Sequence, residues 1–237
     1  MEPKSALALL ITVKDQSGQP ISDVSVRITG TGIDKTQITG QRLFLQTDWS
    51  GSNYYSQSGD IETETIPGII TLRSSGGTYT TSTQWLESNT FNLGASNASF
   101  YSIDWLPISQ PSQTGADSLK FQLAANNDNA TWNYAGPDGT SNSFYTSSST
   151  ISSLLNNNRY FRYKVFLSTV NQNYTSSLQE VKFYFSSSCI PSGQILFNEL
   201  TNQTYTITAS KTGYQTYTNT TVSVFNDWQE LIINLLP

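Results

Sequence analysis

Between residues 193 and 214 apolar side chains return at every second position and then double back. Ile195 and Phe197 alternate with Leu196 and Asn198; after a Thr-Asn-Gln turn, Tyr205, Ile207 and Ala209 alternate with Thr204, Thr206 and Thr208. Period two marks half-buried strands, and the tight joint marks a hairpin. A lone hairpin is marginal in water, so further strands must cover it. Two follow directly, at 221–225 and 231–236. The two still needed lie at the other end of the chain, at 7–13 and 24–28. The pattern predicts one sandwich built from both ends, 1–40 with 186–237, and a second domain, 41–185, inserted into it.

The middle repeats the same grammar. Tyr101, Ile103 and Trp105 alternate with Ser102 and Asp104, and Leu119, Phe121 and Leu123 with Lys120 and Gln122. Phe161, Tyr163, Val165 and Leu167 alternate with Arg162, Lys164 and Phe166, and Val181, Phe183 and Phe185 with Lys182 and Tyr184. Short strands separated by Gly, Pro, Asn and Ser turns argue for a sandwich and against βαβ units. Residues 69–72 suit a buried strand, and Phe91 and Leu93 begin another. By contrast, 31–39 reads as a linker leaving the first sandwich, and 54–67 as a loop without strand period. The fold class is therefore all-β, two β-sandwiches; one continuous barrel is the alternative. Inserting a whole domain into a surface loop costs little closure entropy.

Composition narrows the function classes. Charged residues are 12% of the chain and the net charge is −5, without basic clusters, which argues against a nucleic-acid partner. Histidine is absent, which removes Ser-His-Asp and Cys-His catalysis, His-ligated zinc and a histidine pH switch. The single cysteine, Cys189, has no internal partner and reads as a structural thiol. No stretch is long and apolar enough for a membrane span. Met1-Glu2-Pro3-Lys4 reads as a start placed ahead of a strand, so an export signal or anchor is expected upstream. Contact with a membrane would then run only through a segment absent from this chain.

The run ITVKDQSGQPISDVSVRITG at 11–30 resembles the opening of carboxypeptidase-regulatory-like or Cna-B-like domains. Residues 193–197 followed by 204–214, ending Lys-Thr-Gly-Tyr, resemble that family's continuation. The resemblance implies an immunoglobulin-like or prealbumin-like host sandwich. Many Cna-B-like domains cross-link a strand lysine to a late asparagine through a buried carboxylate, and Lys14 and Asn234 occupy the matching places. Where the acid would stand this chain has Ala209 and Ser210, so no cross-link is expected. In the insert, LKFQLAANNDNATW at 119–132 and RYFRYKV at 159–165 resemble discoidin-type, galactose-binding-like jelly rolls. The segment 46–51, Gln-Thr-Asp-Trp-Ser-Gly, resembles an opening found in bacterial surface and pilin-like proteins.

Candidate sites follow from residue type. Trp49, Tyr54, Tyr55, Trp85 and Tyr134, with Trp132, stand beside Gly, Ser and Asn, outside the strongly periodic strands. Flat rings with polar neighbours suit a sugar ring. The competing reading makes Trp49 and Trp132 the end plugs of the core, and for Trp132 the resemblance implies this. Asp60, Glu62 and Glu64 alternate, so a strand would put all three on one face, as oxygen ligands for a structural calcium or as a solvated acidic loop. Asp128 and Asp138 sit in turn sequences, where Asp usually bonds its own backbone. Apart from calcium no cofactor is implied. Asn97, Asn129, Asn173, Asn202 and Asn219 begin Asn-x-Ser/Thr sequons.

No reaction-specific motif is present, so a non-enzyme is expected. The reading is an extracellular or cell-surface adhesion module that takes glycans or other surface molecules through loop aromatics. The alternative is a structural or protein-contact module, such as the head of a pilin-like subunit. No oligomeric state is implied.

Overall fold

A computed structural model describes residues 7–187, 191–226 and 228–237. The expectations for Met1–Lys4 and for Cys189 lie outside the described residues. In chain order the strands are β1 (Leu7–Lys14), β2 (Ser25–Gly30), β3 (Ile33–Ile38), β4 (Arg42–Gln46), β5 (Tyr54–Gln57), β6 (Ile61–Glu62) and β7 (Ile70–Leu72). Then come β8 (Ser74–Ser75), β9 (Thr78–Tyr79), β10 (Gln84–Ser88), β11 (Phe91–Asn92), β12 (Ser99–Leu106), β13 (Leu119–Asn126) and β14 (Ser149–Thr150). The last are β15 (Tyr160–Leu167), β16 (Ser177–Leu178), β17 (Glu180–Ser186), β18 (Gln194–Leu200), β19 (Gln203–Ser210), β20 (Tyr217–Val224) and β21 (Trp228–Asn234). Among the described residues only two short 3-10 turns interrupt this, and the protein is all-β. Among the described residues no helix is long and apolar enough to cross a membrane.

The chain divides into two compact units, 1–42 with 189–237 and 43–188. The discontinuous unit packs a three-stranded sheet, β18-β1-β21, and a four-stranded sheet, β20-β19-β2-β3, over one core. Leu9, Ile11 and Val13 of β1 point inward with Phe197 and Ile233, and meet Val26, Ile28, Tyr205 and Ile207 of the other sheet. β1 is antiparallel to β18 and parallel to β21. The buried Tyr205 hydroxyl donates to the Thr201 carbonyl at 2.8 Å, which satisfies its one polar atom. Its ring lies 2.7 Å from where a Cβ on Gly30 would stand, so only glycine ends β2 there.

Residues 33–38, expected as linker, form β3, paired along its full length with β2. Its polar sequence, Ile-Asp-Lys-Thr-Gln-Ile, suits an edge strand with few buried positions, and that removes the apolar alternation. Lys14 and Asn234 stand opposite each other in the parallel β1–β21 ladder. Asn234 is exposed, and the alternation places both residues on the side away from Val13 and Ile233.

The continuous unit has a five-stranded sheet in which β15 pairs with β13 on one side and with β10 and β11 on the other, and β10 pairs with β5. A four-stranded sheet, β14-β12-β17-β4, and a three-stranded one, β16-β7-β6, share its core. Phe121, Phe161 and Tyr163 of the five-stranded sheet meet Trp105 and Phe183 of the four-stranded sheet at ring-centroid distances of 4.7 to 5.4 Å. Two strands, β5 and β6, replace the loop expected over 54–67. β10, Gln-Trp-Leu-Glu-Ser, is a central strand whose pattern escapes sequence reading because Glu87 and Ser88 are buried beside Leu86.

Candidate functional site

β15 sends Phe161, Tyr163, Val165 and Leu167 into the core and Arg162, Lys164 and Phe166 to the opposite face. Register then fixes their neighbours. Glu87 of β10 stands opposite Lys164 and Trp85 opposite Phe166. On the other flank Gln122 of β13 stands opposite Lys164 and Lys120 opposite Phe166. Beyond β10, Glu87 pairs with Ser56 and Ser88 with Tyr54, which leaves Tyr55 as the extra residue of a bulge. A bulge turns one side chain to the other face. Tyr54 accordingly packs on the core while Tyr55 is 62% exposed, its ring 4.0 Å from the Arg162 guanidinium carbon.

The loop 127–148 supplies the remaining rings. Asn126 accepts from the Asn129 amide at 2.8 Å and donates to the Thr131 carbonyl at 2.7 Å, while Asp128 accepts from the amides of Ala130 and Thr131. These bonds close a turn that sends the chain back along β13. Ala135 exchanges backbone bonds with Leu123, and Tyr145 with Phe121. Gln122 holds the loop from beneath, donating to the Ser141 and Ser143 carbonyls at 2.8 and 3.0 Å. Trp132 and Tyr134 are carried over Arg162 and Lys164 at 4.4 and 4.5 Å, and Phe144 comes to lie edge-on to Phe166.

A strip results in which cations alternate with rings. Arg162 lies between Tyr55 and Trp132, Lys164 between Trp85 and Tyr134, and Lys120 over Phe144. Glu87 sits under it, 2.7 Å from Arg162 Nη1 and 3.5 Å from Lys164 Nζ. Arg162 also donates through Nε to Thr90 at 2.8 Å. Burial pushes the Glu87 carboxyl up, but the Tyr134 hydroxyl and the two cations more than reverse this and hold it below the usual carboxylate range. Burial, with the carboxylate facing it, drives the Tyr134 hydroxyl well up. Among the described residues that buried hydroxyl has no hydrogen bond of good geometry, and it is close enough to Glu87 to feel its charge.

The structure therefore brings Tyr55, Trp85 and Tyr134 together with Trp132 and excludes two other expected ligand-binding residues. Trp49 is 1% exposed and donates to the Tyr163 hydroxyl at 2.6 Å, which in turn donates to Gln46 at 2.7 Å. An indole buried in the core cluster offers no face to a sugar. Tyr54 is likewise turned to the core. Trp132, expected as a core plug, lies outside the core cluster because the turn at Asp128 folds it over the outer face. Glu87, Arg162, Lys164, Lys120, Phe144 and Phe166 were missed; the signal was the polar half of the alternation in RYFRYKVF.

The carboxylates at 60–64 do not share a strand face, because β6 ends at Glu62. Glu62 accepts from the amides of Glu64 and Thr65 and pairs with Arg73 at 3.3 Å, and Glu64 accepts from the Gly51 amide at 2.8 Å. Among the described residues no group of three His, Cys, Asp or Glu side chains is placed to hold a metal ion. Asp138, like Asp128, serves its own turn, accepting from the Thr140 amide at 2.8 Å and from the Ser143 hydroxyl.

These observations define an all-β protein with an aromatic and cationic strip on one sheet face. No family model matches the chain, and no curated protein matches it. Among solved structures, the Bacillus anthracis TIE protein is similar to 98% of this chain at 8% identity and a TM-score of 0.15, a likeness that carries no argument about fold. The chain spans 51% of that protein's length.

Proposed function

We propose that this chain is a non-catalytic extracellular or cell-surface binding module that takes carbohydrate on the strip of the five-stranded sheet. Supporting this is the convergence of Tyr55, Trp85, Trp132 and Tyr134, from three separate segments, on one side of β15. We read the host as a carboxypeptidase-regulatory-like or Cna-B-like sandwich that presents a discoidin-like insert, as in adhesion proteins. A ring stack adds about 0.5–1.5 kcal/mol beyond burial, so one site of two or three rings binds at roughly millimolar to high-micromolar Kd. Adhesion then draws its strength from many copies, through effective concentration.

One observation favours a second reading, a structural or protein-contact module such as a pilin-like head. Each cation already occupies ring faces of the strip, and cation–ring stacks of this kind stiffen a sheet whether or not a ligand comes. A glycan panel with calorimetry separates the two. Tyr55→Ala, at a 62% exposed ring, should weaken the best glycan about two- to tenfold without unfolding the domain, the lost stack on Arg162 lowering the melting temperature only slightly. Failure of the whole panel to bind removes the carbohydrate reading and leaves the structural one.

A further inference from the structure

The strip differs in charge from the chain that carries it. The chain has a net charge of −5. Yet Lys120, Arg162 and Lys164 gather on one sheet face, and the carboxylate among them is Glu87. The two acids of the covering loop, Asp128 and Asp138, are engaged by their own turns. Arg162 is spent on Glu87 and Thr90. The lysines are not: among the described residues Lys120 has a ring contact with Phe144 alone, and Lys164 approaches Glu87 only at 3.5 Å while lying over Trp85 and Tyr134. Gln122 stands opposite Lys164 and Lys120 opposite Phe166, so the two lysines are diagonal neighbours, roughly 7–8 Å apart at their Cα atoms.

Two ammonium groups with unused donors, held against ring faces, call for an anionic acceptor joined to a flat, stackable body. Arg162, Lys164 and Phe166 recur at every second residue along β15, so the pattern extends over about 13 Å and matches a chain of sugar rings better than a single one. We propose that the ligand is an acidic polysaccharide, a linear glycan whose rings carry carboxylate or sulfate groups that sit between Lys120 and Lys164. This rests on the carbohydrate-binding reading above.

Titration of the full chain with polygalacturonate and dextran sulfate, against fully methyl-esterified polygalacturonate and plain dextran, tests it. At low salt the acidic form of at least one pair should bind about tenfold tighter than its neutral counterpart, with the margin shrinking as salt rises. Preference confined to polygalacturonate assigns carboxylate, and preference confined to dextran sulfate assigns sulfate. Lys120→Gln should weaken the acidic ligand about fivefold without moving the melting temperature. Lys164→Gln should weaken it similarly but with some loss of stability, since it also removes an ion pair with Glu87; if it fails to fold, Lys120→Gln carries the test, since among the described residues that ammonium touches only a ring. Equal binding of acidic and neutral forms overturns the inference and leaves carbohydrate binding standing. Binding of none of the four overturns the inference, and the glycan panel then decides whether carbohydrate binding stands. Acidic binding undiminished in the lysine variants overturns the placement.

Discussion

Replacing Glu87 with leucine strips the carboxylate from beneath Arg162 and Lys164. At 2.7 and 3.5 Å the two attractions amount to about 6 and 5 kcal/mol at an effective dielectric constant of about 20. Taking an acid and a guanidinium out of water costs several kcal/mol each, which cancels most of that gain. The intact pair is therefore worth little, but half of it is expensive. With Glu87 and Arg162 both 8% exposed, Glu87→Leu and Arg162→Met should each destabilise by about 3–5 kcal/mol, because each leaves a buried charge without its partner. The double variant should cost only about 1–3 kcal/mol, chiefly the lost stacking on Tyr55 and Trp132. Urea melts followed by tryptophan fluorescence give all four corners of the cycle. The pH dependence carries a sign. Glu87 is held below its ordinary value of 4.5 in the fold, so its contribution is complete above that value. It is lost as pH falls through the lower folded value. The gap between wild type and Glu87→Leu should stay constant from neutral pH down to about 4.5 and narrow below it. Additive single and double costs would refute the coupling.

The Lys14 and Asn234 side chains, though in register, should remain unlinked, because Asn234 is exposed and, on the proposed Cna-B-like reading, Ala209 and Ser210 stand where the acid would be needed. Intact mass should equal the sum of the residues, and loss of one ammonia would contradict this. A fragment spanning 43–187 should unfold cooperatively on its own, since its core cluster draws only on residues within that span. A broad, non-cooperative melt would show that it needs the host.

What the sequence disclosed depended on which side of each strand faced a core. Buried alternation in β1, β13, β15, β17 and β19 was readable because one face is apolar and the other polar. β3 was not, since an edge strand with few buried positions has no contrast to show. β10 was hidden for the opposite reason: both of its faces are covered, one by the core and one by the strip, and its buried acid mimics a loop residue. Of the site, sequence supplied the rings but not their geometry. Neighbouring Tyr54 and Tyr55 look alike; alternation sends them to opposite faces, and the bulge against β10 decides which of them meets the core. Trp49 and Trp132 were indistinguishable by type, and the hydrogen bonds of Tyr163 and of the turn at Asp128 decide between them. The outward residues of β15 were visible as an alternation, but their meaning needed the cross-strand register.

The parallel pairing of β1 with β21 has a mechanical consequence. Because the two strands run the same way, Leu7 and Asn234 lie at opposite ends of one ladder. Tension applied outward at those points pulls the strands along their length, so the bonds between Ala8–Lys14 and Trp228–Asn234 are loaded together and not peeled one after another. A load carried across that ladder bypasses the covalent path through residues 43–188. The folded region bearing the aromatic strip stays slack until the terminal sheet shears.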